Sequence, residues 1–470
     1  MTAPIASPAP TDVVPQHLIL MLPSTGEFDS RTYRIATTCI ARGHTVTVVA
    51  RHREGLPWLE EHPAGFTIIR VLASAEDGMP LRPIVRAGRT LVRRLESIVT
   101  RRPYVPPGTP RSGTGAATAL GTAPAPPSAP TGTSNAGPVY VRAARAVYRR
   151  LGIPLQIRSH RRNARLATPH GDLVHGMAFM GIPVALTIGK RDHIPVVYDA
   201  RDIHLDARNI ARMGRPARWL LGRTERGWAT SANRVISVND AYADVLASRW
   251  PVERPLVVMN CSYRYTPPSP RERRFHDALG LPASHKVVLY HGGLFPWRGI
   301  EQLIEAIKDV PDATLVLMGY GILEPELRAI EADPATAGRV RVMEAVPPAD
   351  LHDWVAAADV VAMPIQGDTL NHRLTTPNKL FEAMAAGVPA VVSDLPGMST
   401  IVRDAGSGVL VDPADPAAIA WAIHEVTDLD DGAWDAWRER CVAAAHDRYN
   451  WETQVAKLLD AYTALTGKRW

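Results

Sequence analysis

Thirteen short apolar runs, most of them separated by a stretch long enough for a helix, constrain this chain more than any other feature of its 470 residues. Strands joined through helices pair in parallel, because the crossover carries the chain back to the same end of the sheet. Seven runs fall at 17–22, 45–50, 66–72, 172–175, 195–198, 234–238 and 256–259, and six at 286–291, 313–318, 339–343, 359–363, 389–393 and 408–411. The second set is nearly all apolar, as strands covered on both faces are. A helix over 31–42 illustrates the connecting pattern: Ile35, Ala36, Cys39 and Ile40 share one face, and Gly43 stops it. The expected fold is α/β: two Rossmann-like, doubly wound domains facing a central cleft, with ligands at the carboxyl ends of the strands.

A chain of this length exceeds the size at which one core stops growing. The divide is expected at 263–284, where TPPSPRERR is proline-rich and charged. The first domain then covers 17–262, the second 285–448, and 449–470 forms a last amphipathic helix. Residues 1–16 are rich in Ala and Pro and lack the basic start and apolar core of an export signal, so a disordered tail is expected there. Between 106 and 137, 29 of 32 residues are Pro, Ala, Gly, Ser or Thr. Such a composition cannot bury enough apolar surface to order itself, so 103–138 is expected to be a disordered insertion hung from the first domain.

Basic stretches flank that insertion. Residues 81–102 carry seven arginines against Glu96, and 140–165 carry eight arginines and no acid, so a chain of net charge +6 is negative elsewhere. Beside the first group, Ile84, Val85, Leu91, Val92, Leu95, Ile98 and Val99 recur at helical spacing. Two readings stand: helices lying on an anionic membrane surface, or core-packed helices with arginine-rich solvated faces. Residues 81–102 hold no aromatic side chain to stack on bases, and no nucleic-acid partner is expected. No apolar run approaches the roughly 18 residues needed to span a bilayer. Cys39, Cys261 and Cys441 are odd in number, far apart and without metal-ligand spacing. Buried thiols in a reducing, cytoplasmic setting, with no metal, are expected.

The densest chemical signal is TTPNKLFEAMAAGVP at 375–389. Thr376 reads as an N-cap, Pro377 as the first helical residue and Gly387 as the stop. Lys379 stands at the third helical position, where a carboxylate or amide often reaches back to the cap, and so adds positive charge to the positive end of the helix dipole. That arrangement suits a bound phosphate, although a capped surface helix with one lysine would read the same. Asn378, Lys379 and Glu382 can share a helix face, from which the carboxylate could accept sugar hydroxyls. Other strand ends offer loops to the same rim. Gly292, Gly293 and Arg298 lie in HGGLFPWRG, Gly319 and Gly321 in MGYG, and Ala345 and Val346 follow the third strand of the second set. In the first domain, Gly26 lies in PSTGEFD, His175 ends the fourth run, and YDARDIH supplies Asp199, Arg201, Asp202 and His204. A strand-end histidine is more often structural, and Asp199 and Asp202 could simply pair with Arg201.

Taken together these segments resemble the glycosyltransferase family 4 type, nucleotide-sugar enzymes of GT-B fold. The resemblance runs through D-x-R at Asp29, GHTVTVVA at Gly43, DLVHGM at Asp172, VVYDARDIH at Val196 and RVISVNDAYADVL at Arg234. It continues in YHGGLFPWRGIEQLIEA at Tyr290, MGYGILEPEL at Met318, NKLFEAMAAGVPAVVSD at Asn378 and GVLVDPADPAAIAWAI at Gly408. It implies retaining transfer of a sugar from a nucleoside diphosphate donor held by the second domain to an acceptor held by the first, with the last helix crossing back. No cofactor or metal is implied. Carried over by residue, it gives Arg298 and Lys379 to the diphosphate, with Gly292, Gly293, Gly321, Thr376 and Asn378 around them. It gives Glu382 to the ribose, the backbone of Ala345 or Val346 to the base, and Gly26 to the transferred sugar. Three positions depart from the family pattern. Leu374 stands where a glutamate is common, Gly293 where a basic residue is common, and Arg201 where a histidine is often seen, which leaves His175, Asp199 and Arg201 as catalytic candidates. A lipid-linked or cell-envelope glycan acceptor at the membrane surface is expected. The alternatives are a non-catalytic partner of the same fold, or a nucleotide-sugar epimerase, which would need cleft carboxylates such as Asp199 and Asp202.

Overall fold

The computed structural model describes residues 14–74 and 139–470 apart from Phe28, Arg212 and Ala337. The arginine-rich stretch 81–102, the insertion 103–138 and all but the last three residues of the expected tail lie outside the described residues. Gln16, assigned to that tail from sequence, is buried, and its backbone N–H donates to His44 Nδ1 at 3.2 Å. Order therefore begins before the first strand.

The first sheet has eight strands in the order β3-β4-β2-β1-β5-β6-β7-β8. They are β1 (His17–Met21), β2 (Thr45–Arg51), β3 (Leu59–Glu61), β4 (Thr67–Val71), β5 (Leu173–Met177), β6 (Val196–Ala200), β7 (Arg234–Ser237) and β8 (Leu256–Val257). All neighbours pair in parallel except β3, which lies antiparallel to β4 at the sheet edge. The sequence Leu-Glu-Glu gives β3 no apolar pattern, so only its partner reveals it. The second sheet is wholly parallel, in the order β11-β10-β9-β12-β13-β14: β9 (Lys286–Gly293), β10 (Ala313–Tyr320), β11 (Val340–Glu344), β12 (Val360–Met363), β13 (Ala390–Ser393) and β14 (Gly408–Val411). Strand order reverses between β1 and β5 in one sheet and between β9 and β12 in the other, so a crevice opens at the carboxyl ends there.

β9 and β10 run two residues past their apolar patterns, pairing Gly292 with Gly319 and Gly293 with Tyr320. A Cβ on Gly319 would sit 1.8 Å from the Gly292 carbonyl oxygen, so the strands can close this tightly only with glycine. Gly292, Gly293 and Gly319, expected in loops, are thus at the tips of strands. Part of the expected linker is also structured: the helix Arg274–Leu279 sends Phe275 into the second domain's core beside Leu281 and Cys261. One apolar ring among prolines and charges was enough to dock that segment.

The helix Trp451–Thr466 returns to the first domain, where Trp451, Leu458, Leu459 and Tyr462 join Ile35, Cys39, Val48 and Leu18 in one core. Asn450 caps it by accepting from Thr453 N at 2.8 Å, and the Trp451 indole N–H donates to Thr38 Oγ1 at 3.0 Å. All three cysteines are buried, and burial pushes the Cys39 and Cys441 thiols up to about 12. Among the described residues no helix is long and apolar enough to cross a membrane. Because Trp451 is fully buried in a core shared with strands of the first sheet, Trp451→Ala is expected to destabilise the protein by roughly 3–5 kcal/mol. Denaturant unfolding would read this, and an unchanged midpoint would show that the returning helix adds nothing to that core.

Candidate active site

Between the carboxyl ends of the two sheets lies a cavity of about 270 Å³. The first domain lines it with Asp29, Ser30, Arg31, Arg201, Val238, Tyr242 and Asn260, and the second with Thr375, Thr376 and Asn378. Its first-domain wall is built on one carboxylate. Asp199, near the end of β6, is fully buried and accepts from Arg31 Nε at 2.6 Å and from Arg201 Nε at 3.5 Å, with His175 Nε2 at 3.3 Å. Burial alone would raise its pKa, but Arg31, His175 and Arg201 outweigh it and hold the carboxyl far below the usual range. Arg201 also donates to Asp29 Oδ2 at 2.6 Å, while Asp29 Oδ1 caps the helix Ser30–Ala41 by accepting from Thr32 N at 2.9 Å. Burial disfavours the Asp29 anion too, yet Arg201 and the cap keep it ionised.

This wall revises the sequence expectations. His175 lies inside β5 and not at its end; it is fully buried and hydrogen-bonds the Tyr462 hydroxyl through Nδ1 at 2.5 Å. Burial lowers its pKa, offset in part by Asp199. Of the three expected catalytic residues, only Arg201 lines the cavity; His175 and Asp199 lie beneath its floor, sealed from a ligand. Asp202 does not pair with Arg201 but accepts from Asn371 Nδ2 at 3.2 Å. His204 stacks on Phe179 at 3.8 Å and burial lowers its pKa to about 4. The residues that reach the cavity instead, Asp29 and Arg31, were visible in sequence only as the D-x-R spacing. Tyr242 was visible only as part of RVISVNDAYADVL, and Asn260 gave no signal.

In the second domain the helix of interest is Asn378–Ala385, with Pro377 as its N-cap and no side-chain cap. It therefore begins one residue later than expected, Lys379 is its second residue, and the first-turn N–H groups have no side-chain acceptor. Lys379 Nζ lies 3.5 Å over the Tyr290 ring, beside Gly292. Among the described residues no carboxylate lies within ion-pairing distance of Lys379 or Arg298. Burial, then the charge of Arg298, push the Lys379 pKa well below that of an ordinary lysine, and Glu382 only partly offsets them. Glu382 is itself buried, which raises its pKa against the pull of Arg34 and Lys379, and His291 Nδ1 is 3.6 Å from its Oε2. Lys379, Arg298 and Glu382 are thus brought together, with Arg34 approaching from the first domain.

Thr376 and Asn378 are occupied differently from expectation. Thr376 donates to the Gly397 carbonyl at 3.1 Å and accepts from Asn239 Nδ2 at 2.7 Å, and Asn378 accepts from Asn260 Nδ2 at 2.8 Å and donates to Ser30 Oγ at 3.2 Å. Both join the domains at the cavity wall. Leu374 packs with Ile203 and Tyr242 across the same joint, where Asn371 Oδ1 also accepts from Ile203 N at 2.8 Å. Gly321 turns beneath the loop after β9, a Cβ there falling 2.0 Å from the Leu294 carbonyl oxygen. Gly26 has φ +84° in the loop after β1, and Ala345 and Val346 follow β11 on the second domain's rim. Among the described residues no group of three or more His, Cys, Asp or Glu could hold a metal ion.

Residues 285–428 match the family model described as "Glycosyl transferases group 1". A D-inositol 3-phosphate glycosyltransferase of Xylanimonas cellulosilytica is 34% identical over 218 residues, 44% of this chain and 49% of that protein. The chain thus spans about half the length of that relative. The protein of the same description from a Nocardioides species is 26% identical over 320 residues, 62% of this chain and 67% of that one. Among solved structures, sucrose-phosphate synthase from Thermosynechococcus elongatus superposes with a TM-score of 0.66 at 17% identity, covering 96% of this chain and 99% of that one. Anabaena HepE in complex with UDP and glucose gives 0.62 at 17%, covering 96% and 100%. At such identities these structures establish the fold alone.

The buried, unpaired Lys379 has a consequence in pH. Its folded pKa lies below its unfolded value, so the unfolded chain binds the proton more tightly, and stability rises with pH from the folded pKa up to the ordinary lysine value of 10.5. An anion at this site restores the charge. Pyrophosphate binding is therefore expected to take up a proton above the depressed pKa, read by calorimetry in buffers of different ionisation heat. Lys379→Met should abolish the uptake while leaving the unfolding midpoint at neutral pH unchanged or higher. Identical heats in all buffers would count against it.

Proposed function

Given a second domain that matches the group 1 glycosyltransferase model, in a chain of GT-B fold, we propose that the protein transfers a sugar from a nucleoside diphosphate donor to an acceptor hydroxyl, with retention at the anomeric carbon. One observation carries this reading: two cations without carboxylate partners, Lys379 and Arg298, stand at an uncapped helix N-terminus beside the buried carboxyl of Glu382. Cations and free N–H groups suit the diphosphate and the charge that grows on it as it leaves, and a carboxyl one helical turn away suits ribose hydroxyls. The base then lies along the backbone at Ala345 and Val346, and the transferred sugar points across the cavity toward the loop holding Gly26.

The acceptor enters against the first-domain wall. Asp29 is the carboxylate lining the cavity, and Arg201 keeps it ionised, so it can accept a hydrogen bond from the attacking hydroxyl. With Asp199 and His175 sealed, their role is to hold Arg31 and Arg201 in place. The epimerase reading loses support for the same reason, since Asp199 is inaccessible and Asp202 is bonded to Asn371. The non-catalytic reading keeps one supporting observation, the apolar Leu374 packed where a sugar-binding carboxylate was expected.

The acceptor is of a lipid-linked or cell-envelope glycan class, met on the inner face of the membrane by an otherwise cytoplasmic protein. Support comes from the second arginine-rich stretch, which forms the helix Val139–Ala167 and leaves Arg158, Arg161, Arg162 and Arg165 exposed. No cofactor or metal enters the proposed reaction.

Purified protein with a panel of nucleotide sugars should release nucleoside diphosphate in an acceptor-dependent way. Saturable nucleotide binding without turnover on any acceptor would instead favour the non-catalytic reading. Arg298→Ala and Lys379→Ala are each expected to weaken nucleoside diphosphate binding by roughly 1.5–3 kcal/mol, the size of a charge-assisted contact. Unchanged affinity in both would sink the assignment.

A further inference from the structure

The helix Arg215–Ser231 presents an outward face that the catalytic reading does not use. Trp219 and Leu220 are adjacent on it and 66% and 59% exposed. Arg215, Arg223 and Arg226 surround them, all exposed, and the Arg223 guanidinium lies 5.9 Å over the Trp219 ring. The helix has a single acid, Glu225, which points inward to accept from the Tyr198 hydroxyl at 2.9 Å and which burial raises to about 7. The outward face therefore carries positive charge and large apolar groups with no carboxylate.

Its neighbours extend the pattern. Ala164 of the helix Val139–Ala167, Ile182 of the helix Ala178–Asp192 and Ala229 of the Arg215–Ser231 helix share one core cluster, so the three helices cover the same face of the first sheet. Residues 139–171 hold no Asp or Glu, and Leu166, at 80% exposure, stands beside exposed Arg162 and Arg165.

We propose that this helix layer docks on an anionic lipid bilayer, with Trp219 and Leu220 entering the headgroup region and the surrounding arginines pairing with lipid phosphates. Tryptophan with arginine around it is the composition of an interfacial helix, whose rings and aliphatic stems sit at headgroup depth while the charges stay with the phosphates. A protein partner fits less well, because a stable interface needs about 800 Å² per side with an apolar centre, whereas two large apolar side chains here stand among like charges. The placement gives the docking a direction. The helix starts at the carboxyl end of β6, after a turn whose Asp206 takes Arg249 at 2.6 Å and Arg218 at 3.2 Å, so Trp219 sits on the cleft side of the sheet. A bilayer under Trp219 meets the same rim that holds Asp202 and Arg201, and an acceptor anchored in lipid reaches the cavity without leaving the membrane. The inference deepens the proposed membrane-surface setting and rests on it for its purpose, not for its geometry.

Sedimentation of the full-length protein with sucrose-loaded vesicles tests it. The protein is expected to pellet with phosphatidylcholine vesicles that contain phosphatidylglycerol, not with phosphatidylcholine alone, and to be released by salt. The double variant Trp219→Ser/Leu220→Ser, and separately the triple variant Arg215→Gln/Arg223→Gln/Arg226→Gln, should each lower the partition coefficient about tenfold. Both should bind UDP or GDP as the parent does, which reports that they are folded. Parent-like vesicle binding by the double variant would overturn the proposal, as would indifference to phosphatidylglycerol. A self-association seen by light scattering in the parent and lost in the double variant would replace the bilayer with a second copy of the chain. Vesicle binding that behaves as expected in a protein with no transferase activity would leave the docking standing and remove the function proposed above.

Discussion

The ionised state of Asp199 is the condition on which the cleft side of the first domain rests. A carboxylate without solvent is unfavourable unless its charge is met at close range. Here Arg31 comes from the helix after β1, Arg201 from the loop after β6, and His175 from the middle of β5. Three elements far apart in sequence are pinned to one atom pair. Arg201 passes the constraint to Asp29, which caps the helix that carries Arg31, so the ring of contacts closes on itself. His175 passes it to Tyr462 and hence to the returning helix. Removing one member of such a group leaves a buried charge unmatched, which is more damaging than the net worth of any single pair.

The joint between the domains has a different chemistry. Asn239, Asn260, Asn371 and Asn378 make most of its polar contacts, reaching backbone carbonyls, backbone N–H groups, hydroxyls and one another. Neutral amide bonds are worth about 1 kcal/mol net and have equivalent partners in water, so a seam made from them can be opened at modest cost. Leu374, Tyr242 and Ile203 add a small apolar patch to the same seam. Charge-matched contacts thus hold the first domain's wall of the site together, while the joint between the domains rests mostly on neutral amides, with the ion pair Arg208–Asp368 beside them.

The alternation of apolar runs and helical stretches was enough to give two parallel sheets, because each buried parallel strand must be apolar along its length. What escaped it was decided by a partner segment and not by the segment's own pattern. β3 exists because β4 offers an edge, the extra residues of β9 and β10 because two glycines can meet, and the docking of Phe275 because a core was waiting for it. The site divides in the same way. Lys379, Arg298 and Glu382 were legible because residue type and helix position set their roles locally. Asp29 and Arg31 were not, since a capping aspartate and a nearby arginine look ordinary until Asp199 and Arg201 arrive from the other half of the sheet. The reverse error fell on His175, whose residue type suggested chemistry while its place inside a buried strand excluded it.

The returning helix gives the chain an unusual order of events during synthesis. The first core contains residues from the opening strand, the helix beside it and Trp451, Tyr462 and Trp470 at the far end. A domain emerging from the ribosome usually completes its packing before the next one follows. Here the first sheet must wait, with one face only partly covered by the helix Ser30–Ala41, while the whole second domain is made. The helix Trp451–Thr466, translated after the second domain, is what closes it, and contacts such as Trp451 to Thr38, 413 residues apart, form slowly because the intervening chain has to be brought round first. A nascent or truncated chain lacking its final helix therefore exposes the apolar side of a finished-looking sheet, and the second domain's folding sets the time for which that surface stays open.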